Sequence, residues 1–211
     1  MLDEDEIENT NVSSIVPQEN SFATPSEWNN PFFDIDESDP YYDAVHFVCE
    51  NNLFNGVSST RFAPYTNMNR AMFVTVIGRL ADVDTFSYLG ESCFKDVVLN
   101  QWYTPYVSWA SEYSIVNGYS STIFGISDDI TVEQAVTMLS RFAEYMDYDV
   151  YADEDLCDYS DVNTVSAWAK NAMAWAVEKG IYNCSSFLNP KEKASRALIA
   201  EMMYNFTYVF K

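Results

Sequence analysis

The chain has 211 residues, 48% hydrophobic and 16% aromatic, which is enough apolar material for a buried core and too much for a disordered chain. Its formal net charge of -21, with a pI of about 4.1, argues against nucleic acid and anionic membrane surfaces as partners, because both require a basic footprint. No apolar run reaches the ~18 residues a membrane span needs, so no membrane insertion is expected.

Residues 1–31 carry seven acidic residues and no Lys or Arg, with Pro17 and Pro25 among scattered Ser, Asn and Thr. They read as an acidic, disordered linker that cannot bury enough apolar surface to fold alone. The start, Met1-Leu2-Asp3-Glu4-Asp5-Glu6, lacks the positive charge of a signal peptide. The chain therefore reads as a fragment of an exported protein whose signal lies outside it.

From residue 32 the sequence repeats itself. A shift of 62 positions lays Phe32-Phe33-Asp34-Ile35 on Phe94-Lys95-Asp96-Val97 without a gap. The same shift lays Tyr41 on Tyr103, Asn55-Gly56 on Asn117-Gly118, Ser58-Ser59-Thr60 on Ser120-Ser121-Thr122, Phe62 on Phe124 and Arg79 on Arg141. A third copy opens at Tyr159-Ser160-Asp161-Val162 and needs small insertions; Trp175 then matches Trp109, Ile181 matches Ile115, Asn183 matches Asn117 and Pro190 matches Pro64. The repeats run over 32–93, 94–158 and 159–211.

Each copy reads as helix, loop, helix, which makes the fold class all-α. In the second copy Trp102, Tyr106, Trp109 and Tyr113 recur at helical spacing, and Asn117-Gly118 marks a turn. A second stripe, Ala135, Met138, Leu139, Phe142, Ala143 and Met146, begins after Thr131, with Gln134 completing a capping box. The corresponding helices of the first and third copies start at Asn69 and Ser195, with Phe73, Val76, Ile77 and Leu80 on one face of the former and Ala197, Ile199 and Met203 on the latter. A unit of ~50 residues cannot bury both stripes alone, so three must share one core.

Cys49, Cys93, Cys157 and Cys184 form no C-x-x-C pair and read as buried free thiols. With one histidine, His46, a zinc site is not expected, and His46 has no partners arranged as a triad. The run Asp147, Asp149, Asp153, Glu154, Asp155 lacks calcium-loop spacing and reads as a solvated linker. No metal or cofactor is expected.

The tripled pattern resembles the S-layer homology family, whose repeat opens F-x-D-V, passes an aromatic-rich helix, a G-I-x-x-G turn and an F-x-P element, and opens its second helix with T-R-A-E. Here the opening stands as Phe32…Asp34-Ile35, Phe94…Asp96-Val97 and Tyr159…Asp161-Val162. The turn stands as Leu53-Phe54-Asn55-Gly56, Ile115-Val116-Asn117-Gly118 and Gly180-Ile181-Tyr182-Asn183-Cys184, and the F-x-P element as Phe62-Ala63-Pro64, then Phe124-Gly125-Ile126, then Pro190. The resemblance implies a pseudo-threefold spindle with ligand grooves between neighbouring repeats. It also implies binding of secondary cell-wall polysaccharide, often pyruvylated, on the bacterial cell surface.

The resemblance further implies binding roles for Arg70 and Arg196, for Asp34, Asp96 and Asp161, for the groove-wall candidate Trp102, and for the turn glycines Gly56 and Gly118. A guanidinium fork suits a ketal carboxylate, and a Trp face suits a sugar ring. The T-R-A-E positions read Asn69-Arg70-Ala71-Met72, Thr131-Val132-Glu133-Gln134 and Ser195-Arg196-Ala197-Leu198, so the middle copy lacks the arginine, and Cys184 replaces the third turn glycine. At most two grooves are expected to bind. Two plainer readings stand beside these: Arg70 and Arg196 as salt-bridge partners of their own repeat's Asp, and the aspartates as local turn or cap residues.

Three functions compete at this point. The first is a non-catalytic polysaccharide anchor, a monomeric pseudo-trimer within a larger secreted protein. The second is a degenerate module with a structural or protein-interaction role and no glycan binding. The third is a glycosidase with paired carboxylates, for which nothing in the sequence selects a pair.

Overall fold

A computed structural model describes residues 28–90 and 92–210, so most of the acidic segment read as a linker lies outside the described residues. Among them are six α-helices and no strand, only isolated bridges. The helices are α1 Tyr42–Glu50, α2 Arg70–Leu80, α3 Thr104–Glu112, α4 Val132–Tyr145, α5 Lys170–Glu178 and α6 Arg196–Val209, with short 3-10 turns between repeats and ahead of α5. None of them is long and apolar enough to cross a membrane.

The second helix of each repeat starts where its sequence says it should. Asn69, Thr131 and Ser195 each accept the backbone N–H three residues on, and Gln134 returns a bond to the Thr131 amide, completing the capping box. The first helices, α1, α3 and α5, have nine residues each and no side-chain cap. Helices that short are marginal in water, so tertiary packing holds them.

That packing crosses repeat boundaries. The helix α3 lies on α2, α5 on α4, and α1 on α6. Each first helix thus rests on the second helix of the preceding repeat, and the series closes because the first repeat returns to the last. The loops ahead of α2, α4 and α6 close in the same sense. Met68 N–H donates to the Ala194 carbonyl (3.0 Å), Ala194 N–H to Ile130 (2.8 Å), and Ile130 N–H back to Met68 (2.9 Å). Around this ring the first two amides of each second helix, which have no partner within their own helix, donate to a neighbour's loop. Arg70 and Ala71 reach Asp128 and Ile126, Val132 and Glu133 reach Glu192 and Pro190, and Arg196 and Ala197 reach Thr66 and Pro64, all at 2.9–3.4 Å.

The core sits between these helices. Phe73, Val76, Leu139, Phe142 and Met203 are all buried, as their spacing predicts, and Phe142 stacks on Phe206 at 5.6 Å to join α4 to α6. Trp109 and Trp175 are buried beside them. The apolar stripe read through Trp102 and Tyr113 is shorter than expected: both are exposed, because Trp102 precedes α3 and Tyr113 follows its last turn. Trp168 is also exposed, since it precedes α5. All four cysteines are free, but none is buried: Cys93 and Cys157, in the segments connecting repeats, are exposed, and Cys49 and Cys184 are half-buried, so only the free-thiol half of the reading holds. At the N-terminal end, packing is already present at Trp28, which stacks on His46 at 4.8 Å.

Two stability outcomes follow from this packing. Phe142→Ala should cost about 3–5 kcal/mol in urea denaturation, because it empties the contact shared by α4, α6 and Trp109. Thr131→Ala should cost about 0.5–2 kcal/mol by the same measurement, since it removes a cap whose amide is otherwise without a partner.

Candidate functional site

The site is built outward from the three aspartates. Asp34 accepts the backbone N–H of Phe62 and Ala63 (2.8 Å each), Asp96 those of Phe124 and Gly125 (2.8 and 2.7 Å), and Asp161 those of Leu188 and Asn189 (2.7 and 2.8 Å). These are long-range clamps, each 27 to 29 residues along the chain, rather than the local turns or caps that sequence suggested. The second residue of every clamped pair has positive φ: Ala63 (61°), Gly125 (83°) and Asn189 (47°). A carboxylate on its N–H helps to hold a conformation that costs most L-residues about 1–2 kcal/mol. Burial pushes the Asp96 carboxyl up, but the amides of Phe124 and Gly125 outweigh it and hold the group below its ordinary value.

The clamped loop then receives an arginine from a different repeat. Arg70 Nε donates to the Phe124 carbonyl (3.0 Å) and Nη2 to the Asn117 carbonyl (2.8 Å). Arg196 repeats the arrangement on Phe62 (2.8 Å) and Asn55 (2.5 Å). Each guanidinium also lies against two rings: Arg70 is 4.6 Å from Phe124 and 4.7 Å from Tyr119, and Arg196 is 4.6 Å from Phe62 and 5.2 Å from Phe54. Burial lowers both guanidinium pKa values, but an arginine remains charged at neutral pH. The expected salt bridge to a repeat's own aspartate is not what the side chains make. The partners are backbone carbonyls, and the nearby carboxylates belong to the neighbouring repeat, Asp96 and Asp128 for Arg70 and Asp34 for Arg196. Two of five donors are used in each case, which leaves three.

Above Arg70 lies a cavity of about 370 Å³. The second repeat supplies Asn117, Gly118 and Tyr119 from its loop and Gln134, Thr137, Met138 and Arg141 from α4; the third repeat supplies Trp168. With the Asn117 amide turned to present its oxygen, Arg141 Nη1 donates to it at 3.1 Å. Two cations and an exposed indole therefore share one concave wall, a combination able to hold an anionic sugar.

The sequence-selected residues fall into three groups. Arg70, Gly118 and Asp96 come together around the Phe124 loop, and Arg196, Gly56 and Asp34 come together around the Phe62 loop. Asp161 clamps its loop with Val132 in place of an arginine. Trp102 is exposed and meets Tyr103 edge-on at 5.2 Å, whereas the tryptophan lining the cavity is its equivalent 66 positions on, Trp168. The glycines have a packing cause: a Cβ on Gly56 would meet the Phe32 ring and the Ser58 and Arg61 carbonyls, and one on Gly118 the Phe94 ring and the Ile123 and Ser120 carbonyls. Sequence reasoning misses Trp168 and Arg141 as site residues, although the Arg79–Arg141 match marks the latter and the Trp109–Trp175 match, extended by one helical stretch, pairs Trp168 with Trp102.

Against known proteins, the S-layer homology domain matches residues 31–72, 94–136 and 158–183, together more than half of the chain. The chain is similar to an endoglucanase of Bacillus sp. (strain KSM-635), 26% identical over 195 residues, covering 91% of this chain and 20% of that enzyme. It is also similar to an amylopullulanase of Thermoanaerobacterium thermosulfurigenes, 28% identical over 77% of this chain and 9% of that enzyme. A surface-layer 125 kDa protein of Lysinibacillus sphaericus is 25% identical over 73% of this chain and 13% of its own length. The chain thus spans a fifth or less of the length of these curated relatives. Three matched segments, three Asp-clamped loops and six helices agree: the chain belongs to the S-layer homology domain family.

Proposed function

We propose that the chain is a non-catalytic anchoring module of the bacterial cell surface, and that it binds secondary cell-wall polysaccharide in grooves between its repeats. The architecture belonging to this reading is a pseudo-threefold spindle, in which 32–93, 94–158 and 159–211 act as three subunits of one monomer. The closed amide ring and the cyclic helix packing support it. The module is one part of a longer exported protein, in keeping with its small share of its relatives' length. Their enzymatic names belong to those proteins, and the shared segment is too small a fraction of them to carry their chemistry here.

The observation that carries this reading is the convergence of Arg70, Arg141 and Trp168 on one cavity. The remaining guanidinium donors would take a carboxylate, such as that of a pyruvate ketal, and the indole would cover a sugar face. By the repeat register the positions equivalent to Gly118, Arg141 and Trp168 around Arg196 are Gly56, Arg79 and Trp102, and a second binding groove is proposed there, although Arg79 Nη1 already donates to the Leu53 carbonyl (2.9 Å). Asp34, Asp96 and Asp161 serve by holding the loops that the arginines approach. The groove of Val132 is silent.

A second reading is favoured by one fact: Arg70 and Arg196 are only 3% and 7% exposed, and both already bond two carbonyls. On that reading the arginines are fasteners, and the module has a structural or protein-interaction role without glycan.

Retention on purified sacculi that carry their wall polysaccharide separates the two. Arg141→Ala and Trp168→Ala, which leave the Arg70 bonds intact, should each weaken retention by about 1.5–3 kcal/mol, roughly ten- to a hundredfold. Arg70→Lys should recover only part of the loss caused by Arg70→Ala, and added salt should weaken retention throughout. Retention unchanged in both the Arg141 and Trp168 variants moves the binding site elsewhere, and no retention of the unmutated protein favours the second reading.

A further inference from the structure

We infer that the third inter-repeat joint carries its own substitute for the missing arginine, the hydroxyl of Tyr182, and that restoring the arginine alone does not reopen the third groove. The inference about the groove rests on the polysaccharide reading; the inference about the joint does not.

In two of the three joints the carbonyl of the clamped loop residue accepts an arginine Nε from another repeat: Phe124 from Arg70, and Phe62 from Arg196. The third clamped residue is Leu188, fixed by Asp161 as the other two are by Asp96 and Asp34. The backbone there is in the same register, since Val132 and Glu133 donate to Glu192 and Pro190 just as Arg70 and Ala71 donate to Asp128 and Ile126. Val132, itself buried, has nothing to offer the Leu188 carbonyl. That carbonyl instead accepts the Tyr182 hydroxyl at 2.8 Å, in a buried bond within its own repeat. Tyr182 stands where the first and second repeats have Phe54 and Val116, neither of which carries a donor.

The residue next to position 132 has changed as well. Where the other repeats have Ala71 and Ala197, this one has Glu133, buried at 4% exposure. Its carboxylate pairs with Lys191 Nζ (2.5 Å) and accepts the Ser166 amide (3.0 Å) and hydroxyl (3.1 Å). A buried carboxylate is tolerable only when so satisfied. The joint between the second and third repeats is thus held by protein groups alone. The ligand-facing positions have changed with it: Cys184 for glycine, Asn205 for the Arg79 and Arg141 position, and Pro40 for the tryptophan. The Tyr182 hydroxyl that takes the arginine's place on the Leu188 carbonyl is spent in a buried bond, so no guanidinium fork is left for an anion.

Melting temperatures of the full chain test the joint without any ligand. Tyr182→Phe leaves the Leu188 carbonyl buried and without a donor, and should lower Tm by about 3–8 °C. Val132→Arg alone places a guanidinium against a carbonyl already taken and should lower Tm further than the same substitution made in the Tyr182→Phe background, where it recreates the Arg196 and Phe54 pairing. Additive Tm changes, or an unchanged Tm for Tyr182→Phe, would overturn the inference. Retention on the sacculi described above tests the groove: Val132→Arg by itself should add no retention, and a gain in the folded single variant would overturn that part of the inference. If the unmutated protein is not retained at all, the polysaccharide reading fails while the Tm comparison still decides the joint.

Discussion

A loop that crosses a protein interior must give every amide and carbonyl a partner, and the loops ahead of α2, α4 and α6 cannot do so within their own repeats. Their solution is reciprocal. Each loop is gripped from its own repeat by an aspartate and from a neighbour by the first turn of a helix. The positive-φ residues, the arginine positions and the concave walls are all consequences of that grip. Remove the neighbour, and the first amides of each second helix, the ring at Met68, Ile130 and Ala194, and the carbonyls of Phe62 and Phe124 lose partners together. The repeats are therefore joined by obligatory hydrogen bonding as much as by apolar contact, although the shared aromatic core around Phe142 and Phe206 is what makes the joining favourable.

Much of this was legible in the sequence because it rests on short-range rules. Cap residues and periodic apolar positions located all three second helices and their buried faces, and the 62-residue shift revealed the repeats before any geometry was known. The first helices were harder. Trp102 and Tyr113 keep helical spacing with Trp109 yet lie outside α3, because a periodicity of aromatics does not say where a nine-residue helix begins or ends. The aspartate clamps were out of reach for another reason: their partners are backbone amides far along the chain, and an amide leaves no mark in a sequence. The same holds for the arginines. A search for side-chain partners suggests a carboxylate, whereas the guanidinium settles on carbonyls and ring faces. Gly56 and Gly118 read as turn residues valued for ligand approach, but both lie outside any turn, and the nearest obstacles are the protein's own carbonyls and phenylalanines.

The three copies have diverged in a coordinated way rather than one residue at a time. The losses of arginine, glycine and tryptophan scatter over three repeats when read along the chain, at Val132, Cys184 and Pro40. In space they belong to one joint, because each joint draws its arginine position from one repeat and its loop from the next. A residue count per repeat thus misjudges the molecule; the joint is the unit that keeps or loses its features.

The return of α1 to α6 has a further consequence for how such a chain can grow. In an open solenoid each added repeat finds a free face, and length is unrestricted. Here the last face is already covered by the first helix, and the ring of three amides has no vacant position. A fourth copy would have to break a closed circuit before it could join. Repeat number is therefore limited by closure. By the same geometry a chain cut to two copies exposes two uncovered faces, and those faces match each other only through a partner that the cut has removed.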